Sequence, residues 1–374
     1  MSFPLPPYHE PDFQREPLKS AGDACYALSP KDGVAPENYH ATTIFPEYFK
    51  INGAWRLAEE SRMDCVAVLK DEAVHIVEFR NLKKGDKVFV GRRENGEDGI
   101  FVYPDGFREQ RDDTGETFAF RQRRSRETAF SKDYDSIYEL LRHERDHGHI
   151  LWVLGPACAF DADSRDSFAQ LIRNGYVHSV LAGNALATHD LEAAYKGTAL
   201  GQDIYSQKSL PFGHYNHIDT INRARFHGSI EAFIAGESLD NGIICACVER
   251  NIPFLLAGSI RDDGPLPGVY ADVYKAQDQM RAAVKKATTV ICLATTLHAI
   301  ATGNMTPSFC VLEDHTIRPV YFYIVDISEF AVNKLSDRGS LAARGVITNV
   351  QDFIVNLRKG IVDPALGENK GNHH

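Results

Sequence analysis

Between residues 149 and 360, fully apolar runs alternate with amphipathic ones, and this alternation restricts the fold more than any other feature of the chain. "HILWVLGPACAF" (149–160) precedes "SRDSFAQLIRNGY" (164–176), "SVLAGN" (179–184) precedes "ALATHDLEAAYKG" (185–197), and "PFLLAGSI" (253–260) precedes "DVYKAQDQMRAAVKKA" (272–287). The series resumes with "TVICLAT" (289–295), "PVYFYIVDI" (319–327), "EFAVNKLSD" (329–337), "GVITNV" (345–350) and "QDFIVNLRKG" (351–360), with further helices expected in 220–236 and 241–251. A strand apolar on both faces has no solvent side, so it belongs in a sheet covered above and below. Regular strand–helix alternation makes that sheet parallel. The expectation is an α/β, Rossmann-like, mostly parallel sheet with helices on both faces over 149–362, with Ser164 as one N-cap and Gly175 as a helix stop.

Upstream the texture changes. "DCVAVL" (64–69), "AVHIVEF" (73–79), "DKVFVG" (86–91) and "GIFVYP" (99–104) are short, β-branched or aromatic, and separated by turn residues such as "NGEDG" (95–99). They predict a small β-rich domain over 36–133. "YDSIYELLRHERDHGH" (134–149) has helical spacing and reads as a bridging helix over 134–148. Residues 1–35 read as an extended arm and 363–374 as a flexible tail.

Net charge narrows the partners. Asp and Glu outnumber Lys and Arg by 51 to 41, which argues against nucleic acid, whose binding requires clustered cations. The basic "RQRRSR" (121–126) follows the mixed "REQRDDTGE" (108–116) and reads as a solvated segment. No apolar run approaches the ~18 residues of a membrane span, and the start lacks a secretory apolar core. Seven scattered cysteines fit reduced thiols and a cytoplasmic location better than a disulfide framework.

In a parallel sheet, ligands bind beyond the carboxyl ends of the strands, where loops converge and helix N-termini offer N–H donors. Several strand ends carry polar residues: Asn184 and Ala185 after "LAG", Arg261, Asp262 and Asp263 after "LAGSI", Thr295, Thr296 and His298 in "LATTLH", Asp326 in "IVDIS", and Asn349 in "ITN". Each is also a plausible helix cap. Asp326 has the position of a ribose-hydroxyl acceptor. No G-x-G-x-x-G fingerprint is present, so a nicotinamide cofactor would be held by side chains and strand-end loops. His143, His147, His149, His214 and His217 offer imidazoles without a completed metal set, and no metal is expected. Cys245 and Cys247, two apart on a helix, point to different faces. His189 and Asp190 read either as site groups or as a plain exposed pair.

Longer stretches resemble a known family. "LAGNALATHDLEAAYKGTALG", "GHYNHIDTINRAR", "PFLLAGSIRDDGPLP", "ATTLHAIATGNMTPS" and "DRGS", with "APENYHATTIFPEYFKINGAWR" (35–56) and "LKKGDKVFVG" (82–91) upstream, are similar to the lysine-ketoglutarate reductase/saccharopine dehydrogenase (LOR/SDH) region. That family includes archaeal-type ornithine cyclodeaminase and the cyclodeaminase half of cyanobacterial arginine-degrading enzymes. The likeness covers roughly residues 35–360. It implies NAD-dependent conversion of ornithine to proline and ammonia in a homo-oligomer, with NAD held at Asn184, Ala185, Asp263, Thr295, Thr296, Leu297, His298, Asp326, Asn349 and Val350. The chain departs from the pattern at Asn349, where relatives carry Asp, and at the inserted "FCVLEDHTIRP" (309–319).

On this reading, the substrate carbon is oxidised transiently, the δ-amine closes the ring, ammonia leaves and the hydride returns. Arg261 is assigned to the substrate carboxylate, Asp262 to the ammonium, and His298 or His214 to proton transfer. Alternatively, Arg261 and Asp262 pair to fix the loop. Two other functions fit the same build: an NAD enzyme acting on another amino acid or polyamine, and a catalytically silent NAD-responsive protein.

Overall fold

The computed structural model describes residues 3–107, 130–328 and 342–363. Residues 25–102 build two antiparallel sheets. One pairs β1 (Cys25–Leu28), β6 (Lys87–Val90), β4 (Val66–Lys70) and β5 (Ala73–Val77) in that order. The other pairs β3 (Ala54–Leu57), β2 (Glu47–Ile51) and β7 (Ile100–Val102). β1 thus lies inside the segment expected to be an extended arm, because its backbone completes the edge of β6. β2 and β3 form a hairpin through Asn52 and Gly53, whose positive φ angles of 52° and 79° suit the two-residue turn between twisted strands. Phe49, Phe89, Ile76 and Ile100 are buried between the two sheets.

Helix α1 (Phe130–His147) starts earlier than its sequence pattern indicates. Its Ile137, Leu140 and Leu141 enter the main core, so it belongs to the body that follows. That body alternates β8 (Ile150–Leu154), α2 (Ala162–Arg173), β9 (Ser179–Gly183) and α3 (Asn184–Lys196). It continues through the short pair β10 (Thr198–Ala199) and β11 (Gln202–Asp203), then α4 (Asn216–His227), α5 (Ile230–Gly236), α6 (Ile243–Glu249), β12 (Phe254–Ala257), α7 (Val273–Val284), β13 (Thr289–Leu293) and α8 (Thr296–Met305). After the hairpin β14 (Phe309–Val311) and β15 (Ile317–Pro319) come β16 (Tyr321–Asp326), β17 (Ala342–Ile347) and α9 (Val350–Leu357), which runs into a π-helical turn. The inserted "FCVLEDHTIRP" is the β14–β15 hairpin.

Six of these strands form one all-parallel sheet in the order β12-β9-β8-β13-β16-β17. Both faces are buried, as the apolar runs require. Ile150, Trp152 and Leu154 of β8 pack with α1, α2, α3, α6 and α9, while Leu151 and Val153 face the α7 and α8 side, with Met280, Val284 and Met305. Alternation with period two thus feeds two separate cores from one strand. Trp152 is fully buried and donates from Nε1 to the Tyr176 carbonyl at 2.9 Å.

The small sheets dock on the α7 side. Arg281 Nε reaches Glu78 at 3.3 Å, Lys285 Nζ reaches Glu60 at 2.7 Å, and Arg80 pairs with Asp278. Ser308, just before the hairpin, gives both its N–H and its hydroxyl to the Ile44 carbonyl, each at 2.8 Å.

Two local expectations are corrected. Ser164 is not the cap of α2: Asp161 accepts from the N–H groups of Asp163 and Ser164, and the Ser164 hydroxyl bonds back to Cys158. Asp190 is not exposed but fully buried. It pairs with Arg165 at 2.8 Å and accepts from the N–H groups of Ile243 and Ile244, thereby capping α6. The stretches 108–126 and 329–337, and the "DRGS" motif, lie outside the described residues.

Candidate active site at the carboxyl edge of the parallel sheet

In chain order, the sheet is built outward from β8 through β9 to β12, and then from β13 through β16 to β17 on the other side. The direction of building reverses between β8 and β13, and ligands of such sheets sit in the crevice above that reversal. The two strands meet closely there. Gly155 N–H donates to Leu293 O at 2.8 Å, and a Cβ on Gly155 would stand 1.9 Å from the Ala294 carbonyl oxygen. Ala294 itself has a φ of 47°, a strained conformation for a residue with a Cβ.

Two helices that start at this edge differ from the others. α2, α7 and α9 are capped by Asp161, Asp272 and Asn349. α3 and α8, which flank the reversal, begin with no side-chain cap. Their first N–H groups and positive dipole ends are therefore available to an anion such as a dinucleotide pyrophosphate. The crevice fits that group without a glycine fingerprint.

With the exception of His214, the sequence-selected residues lie along this edge, but they are used differently. Asn184 is buried and ties loops together. Its Nδ2 donates to Asp262 Oδ1 at 3.2 Å, and its Oδ1 accepts from Leu266 N at 3.0 Å. Asp262 also accepts from the Ser259 N–H at 2.8 Å, so its carboxylate shapes the β12 loop. Arg261 makes no ion pair with it; its N–H bonds the Ser259 hydroxyl while the residue stays exposed. Asp263, Thr296 and Leu297 are exposed, and Ala185 and Thr295 are half-buried. Asp326 accepts from Ser328 N at 2.8 Å. Asn349 caps α9 through the Gln351 N–H, and Val350 is buried beneath it.

His298 reaches from α8 across to the end of β9, where a Cβ on Gly183 would lie 2.9 Å from its Cε1. Burial pushes this imidazole below its ordinary value, so it is neutral and able to accept a proton near pH 7. His214 lies apart from this edge, exposed against the Tyr215 ring. Standard dinucleotide sites put the ribose acid at the end of the second strand. Here that strand ends in Gly183 with no acid, and the acid that closes a strand, Asp326, is on the fifth.

The sequence reading passed over two groups. Gly155 was detectable as a lone glycine closing an apolar strand. Arg225, at the end of α4, lies with Nη1 3.2 Å from where a Cβ on Gly264 would stand, next to Asp263. Its position depends on how α4 packs, which no local pattern reveals. Among the described residues, no group of three or more potential metal ligands converges, and no helix is long and apolar enough to cross a membrane.

Comparison with known proteins adds the following. The family described as arginine dihydrolase ArgZ-like, C-terminal, Rossmann fold matches residues 135–357, and its companion first region matches 46–128. An ornithine cyclodeaminase of Methanocaldococcus jannaschii is 39% identical over 333 residues, covering 87% of this chain and 74% of that protein. A crystal structure of an LOR/SDH protein from Methanococcus maripaludis superposes with a TM-score of 0.81 at 36% identity, over 91% of this chain and 98% of that one. AgrE, solved as a ternary complex with ornithine and NAD+, aligns with a TM-score of 0.58 at 32% identity, over 94% of this chain and 47% of that one.

Proposed function

Because the chain belongs to the ArgZ-like C-terminal family, we propose that it is an NAD-dependent ornithine cyclodeaminase, an ammonia lyase that converts ornithine to proline. The observation that carries this reading is the pair of uncapped helices, α3 and α8, on either side of the strand reversal, in a chain similar along most of its length to proteins of that name. NAD, when bound, takes a hydride from the substrate α-carbon and returns it after ring closure.

The chain's own residues supply the rest. The N–H groups opening α3 and α8 hold the pyrophosphate. Asp263 and Asp326, at or beyond strand ends, would hold the ribose hydroxyls, and the exposed Leu297 would offer an apolar surface to the dinucleotide. Asn184 and Asp262 fix the shape of the β12 loop so that Arg261, with Arg225 set against Gly264 of the same loop, presents a cation to the substrate carboxylate. His298, neutral and half-buried, accepts or returns a proton at the edge of β9.

Seven thiols, none paired, support a reducing, cytoplasmic setting. The exposed Tyr205, Phe212, Ile218 and Phe226 on and before α4 support assembly with a second copy.

The test is incubation with ornithine and NAD. Proline and ammonium are expected in equal amounts, with no net build-up of reduced nicotinamide. Accumulation of reduced cofactor, or ammonia only from another diamine, would replace this reading with an enzyme of the same build that keeps the hydride or takes another substrate.

A further inference from the structure

Below the rim, α3 carries a second set of polar groups that the reading above does not use. Ala185, His189 and Glu192, spaced by four and three residues, share one face of the helix. That face begins at the rim with Ala185. His189 lies about 6 Å further along the axis, at 1.5 Å per residue. Its ring is 5.5 Å from Phe160, which ends the loop leaving Gly155 at the strand reversal.

Glu192 is completely buried and surrounded by donors. Thr198 Oγ1 donates to it at 2.7 Å, Gly201 N–H at 2.9 Å and Leu200 N–H at 3.1 Å, and His189 Nδ1 lies 3.2 Å away. Asn216 in turn donates to the Thr198 hydroxyl at 2.9 Å. Burial opposes ionisation of Glu192, but the hydrogen bonds from His189, Gly201 and Thr198 outweigh it and hold the carboxyl below its ordinary value. Leu200 has a φ of 51°, a costly conformation for a branched side chain, and its N–H is one of the groups bound to Glu192.

A buried carboxylate at Nδ1 fixes the imidazole tautomer: Nδ1 carries the hydrogen and Nε2 keeps the lone pair. Among the described residues, no hydrogen bond engages His189 Nε2. A second ring, His217, stands 6.4 Å away, and its Nδ1 is buried without a partner. Such a core normally satisfies its polar atoms, so two open imidazole nitrogens beside a fully satisfied carboxylate mark a place kept for another molecule's polar groups.

The geometry points to His189 as a proton-transfer residue of the cyclodeaminase reaction, with Glu192 as the positioning residue that sets its tautomer; this rests on the function proposed above. Once the δ-nitrogen has bonded to the α-carbon, Nε2 takes one proton from the new ring nitrogen. It returns that proton to the α-nitrogen as the exocyclic C–N bond breaks, so ammonia leaves with the bonding pair and no proton is gained or lost overall.

The variant His189→Asn keeps an N–H donor toward Glu192 while deleting Nε2. Its kcat for ammonia release from ornithine should fall at least about a hundredfold, with NAD affinity within about threefold of wild type as the check that the fold and crevice are intact. Glu192→Gln should lose about tenfold in kcat while KM for ornithine and NAD affinity stay within about threefold of wild type; a purely structural glutamate would shift all three together. Retention of more than about a third of wild-type kcat by His189→Asn, or a Glu192→Gln variant whose KM and NAD affinity worsen together with kcat, overturns the assignment while leaving the function standing. A wild-type protein that binds NAD but releases no ammonia from ornithine overturns both.

Discussion

The two edges of the parallel sheet carry similar kinds of residue put to opposite uses. At the amino edge, Glu144 is fully buried against Arg318 at 2.7 Å and accepts from the hydroxyls of Thr288 and Thr289, while His149 Nε2 meets Ser179 Oγ at 3.0 Å. The buried carboxylate there is matched by another part of the chain. At the carboxyl edge, Arg261, Asp263 and Arg225 are exposed and make no ion pair among the described residues, and two helices start without side-chain caps. Charge alone does not separate the two edges; charge without an internal partner does.

The sharpest way to break this contrast is to open the amino edge. Glu144→Ala leaves Arg318 buried without its anion and should cost about 3–5 kcal/mol of stability, read by urea unfolding, with NAD affinity of the folded fraction unchanged. Loss of cofactor affinity in that variant would show that the two edges are coupled.

A smaller effect is expected at the rim. Asp263→Ala should weaken NAD binding about tenfold, or about 1.4 kcal/mol, and shift stability by no more than about 0.5 kcal/mol. Asp262→Ala should lower turnover more than it weakens NAD binding, because that carboxylate holds the loop rather than the cofactor. Calorimetric titration of both variants separates the roles, and equal losses of NAD affinity would erase the distinction.

A further effect concerns acid. Burial lowers the His149 pKa from 6.5 to about 4, so the unfolded chain binds a proton that the folded one refuses. The stability from this group is present above pH 6.5 and is lost as pH falls toward about 4. His149→Gln, which keeps a partner for Ser179, should flatten the fall of Tm across that window, and an unchanged slope would assign the acid sensitivity to other groups.

Much of this organisation was legible in the residues. Apolar runs without a solvent face dictated a covered parallel sheet, and polar residues closing those runs marked the edge where Asn184, Asp263, His298 and Asp326 lie. What escaped depended on distant partners. Asp190 reads as a surface acid until Arg165 and the start of α6, more than fifty residues further on, are folded against it. Asp161 and Ser164 are both good caps, and only the path of the preceding loop decides between them. The Asn52–Gly53 hairpin was available as a local signal and was overlooked among shorter strands.

The contact between Gly155 and Ala294 has a consequence for how such an enzyme can diversify. Two chain segments more than a hundred residues apart share a seam with no room for a single methyl group, so the floor of the proposed crevice tolerates no larger residue at Gly155. New substrates must be won from the walls, through the loops after β12 and β13 and the end of α4, where side chains can be exchanged without disturbing that seam.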